Sequence, residues 1–137
     1  MIGNALSLPF SDSSISLIIA SLADPFNVCE FWNEVYRTLK VGAPCIFTSP
    51  SHEWASSYRQ NSTGEHDGAA LFQLANGERV YLPSLVQHQD SQIEMIRQAG
   101  LRLVAKKNIT ADAKPKPHSS KIAGCNVVVS GFVVQRV

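Results

Sequence analysis

The sequence predicts an α/β fold built on a parallel sheet, and three consecutive segments carry that prediction. An almost continuously apolar run from Ile15 to Leu22 is typical of a strand buried on both faces. The segment 27–40 follows, with apolar residues at the spacing of an amphipathic helix. A second short apolar run, from Cys45 to Thr48, is bounded by prolines and predicts another strand. Strand, helix and strand in this order form one right-handed βαβ unit.

The ends of the predicted helix follow from its polar residues. Asn27 is a suitable N-cap, and Glu30 stands three residues later, as a capping box requires. Arg37 and Lys40 fall in the last turn, where cations suit the helix dipole, and Gly42 is well placed to end the helix.

The second half of the chain adds a hairpin, a helix and two strands. Asn76-Gly77 separates two β-forming runs and is a strong hairpin signal. Ser91 is predicted to cap a helix, with Glu94 at the capping-box position. The alternating segment from Leu101 to Ala105 predicts a strand, and the valine-rich segment 126–137 predicts another, with a bulge or bend at Gly131.

Composition restricts the class of protein. The chain has 137 residues, of which 45% are hydrophobic and 17% charged, so it is long enough for one domain with a modest core. Its net charge of +1 argues against nucleic-acid binding driven by the overall charge of the protein. No signal peptide and no apolar run long enough to span a bilayer are found, so neither secretion nor a membrane anchor is predicted. Three scattered cysteines are typical of free thiols in a reducing cytoplasm.

Several motifs occur in an order that resembles a known family. The chain has Leu8-Pro9-Phe10-Ser11-Asp12 before the first predicted strand and Arg37-Thr38-Leu39-Lys40-Val41-Gly42-Ala43 at the end of the helix. The next strand ends in Ser49-Pro50, and Ala99-Gly100-Leu101 precedes a later strand. Together these segments resemble the C-terminal portion of class I S-adenosylmethionine (SAM)-dependent methyltransferases, of the type 11-like group.

This resemblance implies a partial Rossmann-like sheet, mostly parallel with a C-terminal antiparallel strand, and with helices packed on it. Residues 1–137 would form a single domain that lacks the N-terminal, glycine-rich half of the cofactor site, and 51–83 would be a loop and hairpin insertion. The implied activity is SAM-dependent methyl transfer to a small-molecule or macromolecular acceptor that the sequence does not identify.

The resemblance also implies where the cofactor would bind. Asn4, Ala5 and Leu6 would line its adenine end. Ala20, Ser21 and Leu22 would face its methionine end. The alternative interpretation is that both sets are ordinary loop and strand residues. No glycine-rich loop lies between a strand and a helix in this chain, so a relaxed or partial cofactor site is expected.

Candidate catalytic residues follow the second predicted strand, at the sheet edge where α/β proteins bind ligands. His52 or Tyr58 could act as a general base, and Trp54 could stack on a substrate, although a solvated loop is the simpler interpretation. His66 and Asp67 are too few for a metal site, and none is predicted. The lysines of 106–121 are interpreted as a solvated loop, because no aromatic residue stands among them to stack on bases.

The resemblance has one further consequence, since the family places another strand beside the one predicted at Ile15 to Leu22. Without that neighbour, a long, apolar and uncharged strand forms an open edge, which natural proteins usually cover. A second copy of this chain, a partner subunit or the rest of a longer chain could cover it. An alternative function is therefore a non-catalytic, truncated methyltransferase fold that acts as a dimerisation or regulatory subunit.

Overall fold

A computed structural model describes residues 3–59, 68–112 and 126–137. Over these residues the chain forms six strands, three α-helices and one 3₁₀ helix, Asp24–Phe26. The helices are α1 (Cys29–Thr38), α2 (His52–Arg59) and α3 (Gln89–Gln98). The strands are β1 (Ile18–Ala20), β2 (Pro44–Pro50), β3 (Ala69–Gln73), β4 (Arg79–Pro83), β5 (Leu101–Thr110) and β6 (Val127–Arg136). None of the helices in these ranges has the length and apolar character that crossing a bilayer requires.

Four strands form one sheet in the order β1-β2-β6-β5. β1 and β2 are parallel, and β6 is antiparallel to both β2 and β5. Three strands therefore run in one direction, and the C-terminal strand is inserted between two of them in the opposite direction. This confirms the predicted α/β class, with a mostly parallel sheet and a C-terminal antiparallel strand.

The predicted strand from Ile15 to Leu22 is much shorter than expected and is not buried on both faces. Only Ile18–Ala20 forms a strand, which pairs with β2 on one side, and Ile15 makes an isolated parallel bridge with Leu39. Ile19 is 66% exposed and Leu17 is 49% exposed. Among the described residues no strand lies on the other side of β1. The prediction of burial on both faces was wrong, because it assumed that neighbouring elements enclose the strand. The described residues supply a neighbouring strand on one side only.

Both predicted capping boxes were also wrong. α1 begins one residue after Val28, its N-cap, and α3 begins after His88, and neither cap is made by a side chain. Asn27 is instead buried, and its side chain makes tertiary hydrogen bonds to residues that follow it by 58 and 65 positions. Tertiary partners have overridden a local signal, as they often do for buried polar residues.

The second half of the chain follows the sequence more closely. The hairpin around Asn76-Gly77 is confirmed, because β3 and β4 pair in antiparallel register from Ala69 with Pro83 to Gln73 with Arg79. β5 is twice as long as predicted, since β6 pairs with it as far as Thr110. The irregularity expected at Gly131 is absent there, and the pairing of β5 with β6 instead shifts register between Leu103 and Ala105 and between Ile109 and Thr110.

The core lies between α1 and the sheet and is built around four aromatic rings. Trp32 and Phe47 are fully buried, with ring centroids 4.9 Å apart. Phe31 packs edge-on against Trp32 at 5.1 Å, and Phe132 of β6 packs against Phe47 at 6.5 Å. Aromatic pairs of this geometry each add about 0.5–1.5 kcal/mol beyond the area they bury. They join α1 to both β2 and β6.

The segment before β1 is held against α1 by an arginine. The Arg37 guanidinium donates to the carboxylate of Asp12 at 2.7 Å and to the carbonyls of Phe10 at 2.8 Å and Leu8 at 3.0 Å. Its Nε donates to Glu34 at 2.7 Å, and Glu34 also accepts the Leu8 backbone N–H at 2.8 Å. Arg37 and the segment Leu8–Asp12, which these hydrogen bonds join, both belong to the motifs on which the sequence resemblance is based.

These contacts perturb the ionisation of the glutamate. Hydrogen bonds from Arg37, and secondarily from the Leu8 N–H, lower the pKa of Glu34 from 4.5 to about 2, although burial acts in the opposite direction. Hydrogen bonds to the Glu34 and Asp12 carboxylates in turn raise the pKa of Arg37. Because the pKa of Glu34 is lowered by folding, its contribution to stability is complete above pH 4.5 and is lost as the pH falls towards about 2.

We expect Glu34→Gln to remove this pH dependence. Urea unfolding of the wild-type protein should lose stability as the pH falls from 4.5 to about 2, and the variant should lose less over the same range. Glu30→Gln is the matched control, because Glu30 is exposed on the same helix. Parallel pH profiles for Glu34→Gln and the wild type would contradict the assignment.

Candidate functional site

The C-terminal end of β1 leads into a turn that β2 fixes in place. Ala20 is half-buried and packs against the core, whereas Ser21 and Leu22 are exposed. Leu22 has a φ of 48°, a left-handed conformation that is uncommon for a residue other than glycine. Its N–H donates to Thr48 Oγ1 at 2.9 Å, and the Ala23 N–H donates to the Thr48 carbonyl at 3.0 Å. The strained turn is therefore held by the end of a central strand.

The other predicted cofactor residues lie in the segment that Arg37 anchors. Asn4 Oδ1 accepts the Leu6 N–H at 3.0 Å, which closes a tight turn. Asn4 and Leu6 are exposed, and Ala5 packs against the core. Two of the six predicted residues, Ala5 and Ala20, thus contact the same core cluster, and the remaining four present exposed surface.

A separate cleft of about 330 Å³ lies beside the carboxyl end of β2. Its walls come from the end of β2, the starts of α2 and α3, and the neighbouring strands β5 and β6. The lining residues are Ser49, Pro50, Ser51, His52, Glu53, Gln87, His88, Gln89, Asp90, Gln92, Asn108, Val127, Ser130 and Phe132. This is the sheet edge at which the sequence predicted a substrate-binding region.

The predicted base His52 lies in this cleft. Its ring stands 5.2 Å from that of His88 at an interplanar angle of 69°, and its Nδ1 lies 3.4 Å from Ser56 Oγ. The backbone of Tyr58 belongs to α2, but its side chain is outside the described part of the structure, as are His66 and Asp67. Within 3–59, 68–112 and 126–137, no three His, Cys, Asp or Glu side chains meet as metal ligands.

The start of α2 is joined to β6 by its acidic residue. Glu53 accepts the backbone N–H groups of Asn126 at 2.9 Å and Val127 at 3.2 Å, and these hydrogen bonds lower its pKa. Ser51 caps α2 by accepting the Trp54 N–H at 3.0 Å. His52 therefore stands on a helix start that is held at two points, which fixes its position in the cleft.

A buried amide network joins the cleft to the core, and sequence reasoning missed it. Trp32 Nε1 donates to Asn27 Oδ1 at 3.0 Å, and Asn27 Nδ2 donates to Gln92 Oε1 at 2.6 Å and to the Leu85 carbonyl at 2.9 Å. Gln92 is only 2% exposed although it lies on a helix of polar sequence. The only available signal was the helical spacing that places Gln92 four residues before the buried Ile96.

Comparison with known proteins identifies the fold. No protein-family model matches the sequence, and no curated protein is significantly similar to it. Among solved structures, a SAM-dependent methyltransferase from Methanosarcina mazei is 15% identical over 100% of this chain, with a TM-score of 0.72. A proposed SAM-dependent methyltransferase from Listeria monocytogenes is 10% identical over 98% of this chain, with a TM-score of 0.74.

A third similar structure was solved as a complex. It joins the Trm112 methyltransferase activator of Haloferax volcanii to a proposed methyltransferase, with 15% identity over 100% of this chain and a TM-score of 0.64. This chain spans 66%, 67% and 61% of these three proteins, respectively. Across its described residues, the chain has the fold of SAM-dependent methyltransferases.

Proposed function

We propose that this chain is a SAM-dependent methyltransferase-like protein that transfers a methyl group to a small-molecule or macromolecular acceptor. Within this fold, the observation that supports the proposal is the position of the turn at Ser21 and Leu22. Thr48 holds this turn at the carboxyl end of a parallel strand pair. Ligands of open α/β sheets bind at such ends.

The proposed cofactor site consists of the two segments that the sequence singled out. The Asn4 side-chain oxygen retains a second lone pair after accepting the Leu6 N–H, and it would accept a hydrogen bond from the adenine amine. Ala5 and Leu6 would supply apolar contact beside it. Ala20, Ser21 and Leu22 would face the methionine end. SAM would supply the methyl group, and the residues of this chain would position it.

His52 is the proposed base for the acceptor. It lies in the cleft beside the carboxyl end of β2, the strand end that also holds the turn at Ser21 and Leu22. A neutral imidazole there would take the proton that the acceptor loses on methylation. Tyr58 remains the second candidate from the sequence.

We further propose that a second copy of this chain or a partner subunit covers the open edge of β1. In this proposal residues 1–137 form one domain with 51–83 as an insertion, and the sequence carries no glycine-rich loop between a strand and a helix. The partner-subunit form of this proposal is supported by a solved structure with this fold, the complex of a Haloferax volcanii methyltransferase activator with a proposed methyltransferase.

The exposed edge also favours a second candidate function. Ile19, at the centre of β1, is 66% exposed, and apolar edge strands of this kind promote pairing between chains. A truncated methyltransferase fold without catalytic activity would then act as a dimerisation or regulatory subunit. Cofactor binding distinguishes the two candidates, because only the first requires it.

We expect Asn4→Ala to weaken binding of S-adenosylhomocysteine, the demethylated product, by about tenfold in calorimetric titration, the effect of losing one hydrogen bond to a ligand. Asn76→Ala is a matched control, because the Asn76 side chain accepts the N–H of Glu78 at 3.0 Å as that of Asn4 accepts the N–H of Leu6. Equal affinities for the two variants would contradict the adenine assignment. A folded wild-type sample without any binding heat would favour the non-catalytic candidate.

We expect Ile19→Lys to abolish self-association through β1 while leaving the monomer folded. Light scattering should show wild-type protein heavier than a monomer and the variant as a monomer, since a charge on an edge strand prevents pairing. Val41→Lys is the control, because Val41 is 72% exposed in a turn outside β1. A monomeric wild-type protein would overturn self-association and leave a different partner subunit as the remaining form of the proposal.

A further inference from the structure

We infer that the cleft between α2 and α3 binds an uncharged small molecule that presents both a hydrogen-bond acceptor and a hydrogen-bond donor, which Gln92 and Asn108 recognise. The inference rests on the proposed function only in naming this molecule as the methyl acceptor. Three observations carry it: an unpaired buried donor, an unpaired buried acceptor and the charge of the cleft.

The orientation of the Gln92 amide follows from a chain of hydrogen bonds. The Trp32 indole N–H can only donate, so the oxygen of Asn27 must face it. The amide nitrogen of Asn27 must then face the oxygen of Gln92. This leaves Gln92 Nε2 on the opposite side of its amide, where it is buried and has no hydrogen-bond partner. Buried donors of native proteins are nearly always paired, so an unpaired one in a cleft wall indicates a missing acceptor.

The second polar group comes from the sheet. Asn108 of β5 lines the same cleft, and its Oδ1 is buried without a partner. Helix and strand thus supply one unused donor and one unused acceptor to a single cavity. A ligand group such as a carboxamide, which carries a carbonyl oxygen beside an N–H, would pair with both.

The charged side chains of the cleft disfavour anionic ligands. None of its lining residues in the described part of the chain is a lysine or arginine, and two of them, Glu53 and Asp90, are acidic. A phosphate or carboxylate would lose hydration beside these two carboxylates and would gain no lysine or arginine as a partner. The volume of about 330 Å³ is at the low end of small-molecule sites, so the ligand is compact.

The test uses two nearly isosteric probes, benzamide and benzoate, on isotope-labelled protein without cofactor at about pH 8, where imidazole is ordinarily neutral. In NMR titrations we expect benzamide to shift the side-chain amide signals of Gln92 and Asn108, and benzoate to bind at least about tenfold more weakly. Equal or tighter binding of benzoate would overturn the inference, as would benzamide shifts confined to other residues.

Variants separate recognition from folding. Gln92→Met should weaken benzamide binding by about tenfold, and the matched change Gln98→Met should not, because Gln98 is exposed on the same helix and bonds only to Glu94 at 3.2 Å. Asn108→Leu tests the acceptor independently if Gln92→Met unfolds. Unchanged affinity in Asn108→Leu would overturn the two-point recognition. Because no cofactor is present, a failure of S-adenosylhomocysteine binding would contradict the proposed function and leave this result standing.

Discussion

The C-terminal end of α1 is the junction on which the rest of the structure depends. Arg37 reaches back to the segment before β1, while Arg136 from the end of β6 donates to the carbonyls of Leu39 at 2.6 Å and Arg37 at 3.2 Å. The Arg136 guanidinium also stacks 4.6 Å from the centre of the Tyr36 ring. Arg136 therefore satisfies carbonyls at the end of the helix, where the helix dipole favours a cation, and Arg37 stands in the same last turn. The first segment of the chain and its last strand are fixed against the same turn of helix.

A second polar network extends from the core to the cleft. It begins at the Trp32 indole, passes through the Asn27 amide and ends at Gln92 in the wall of the cleft. Each member is almost fully buried, and each orientation is dictated by the one before it. Such a network fixes α3 relative to α1 more specifically than apolar packing would. The position of the candidate ligand groups is thus a consequence of how the core is assembled.

The parts of this architecture that the sequence predicted are those set by local periodicity. The stripe of α1, the hairpin at Asn76-Gly77 and the succession of strands along the chain follow from patterns within a few residues, whereas the order of the strands in the sheet does not. The failures concern long-range partners: Asn27 looked like a cap, yet its partners come from α3 and the loop before it. Gln92 and Asn108 look like surface residues, because no short pattern shows that a helix and a strand will enclose them beside one cavity.

Hydrogen–deuterium exchange of the chain with and without S-adenosylhomocysteine tests the proposed cofactor site most directly. We expect slower exchange at residues 4–8 and 20–24, which contain the proposed cofactor residues 4–6 and 20–22, and unchanged exchange in the β3–β4 hairpin. Exchange that is unchanged at 4–8 and 20–24 under saturating ligand, in a folded sample, would contradict a cofactor site built from these two segments.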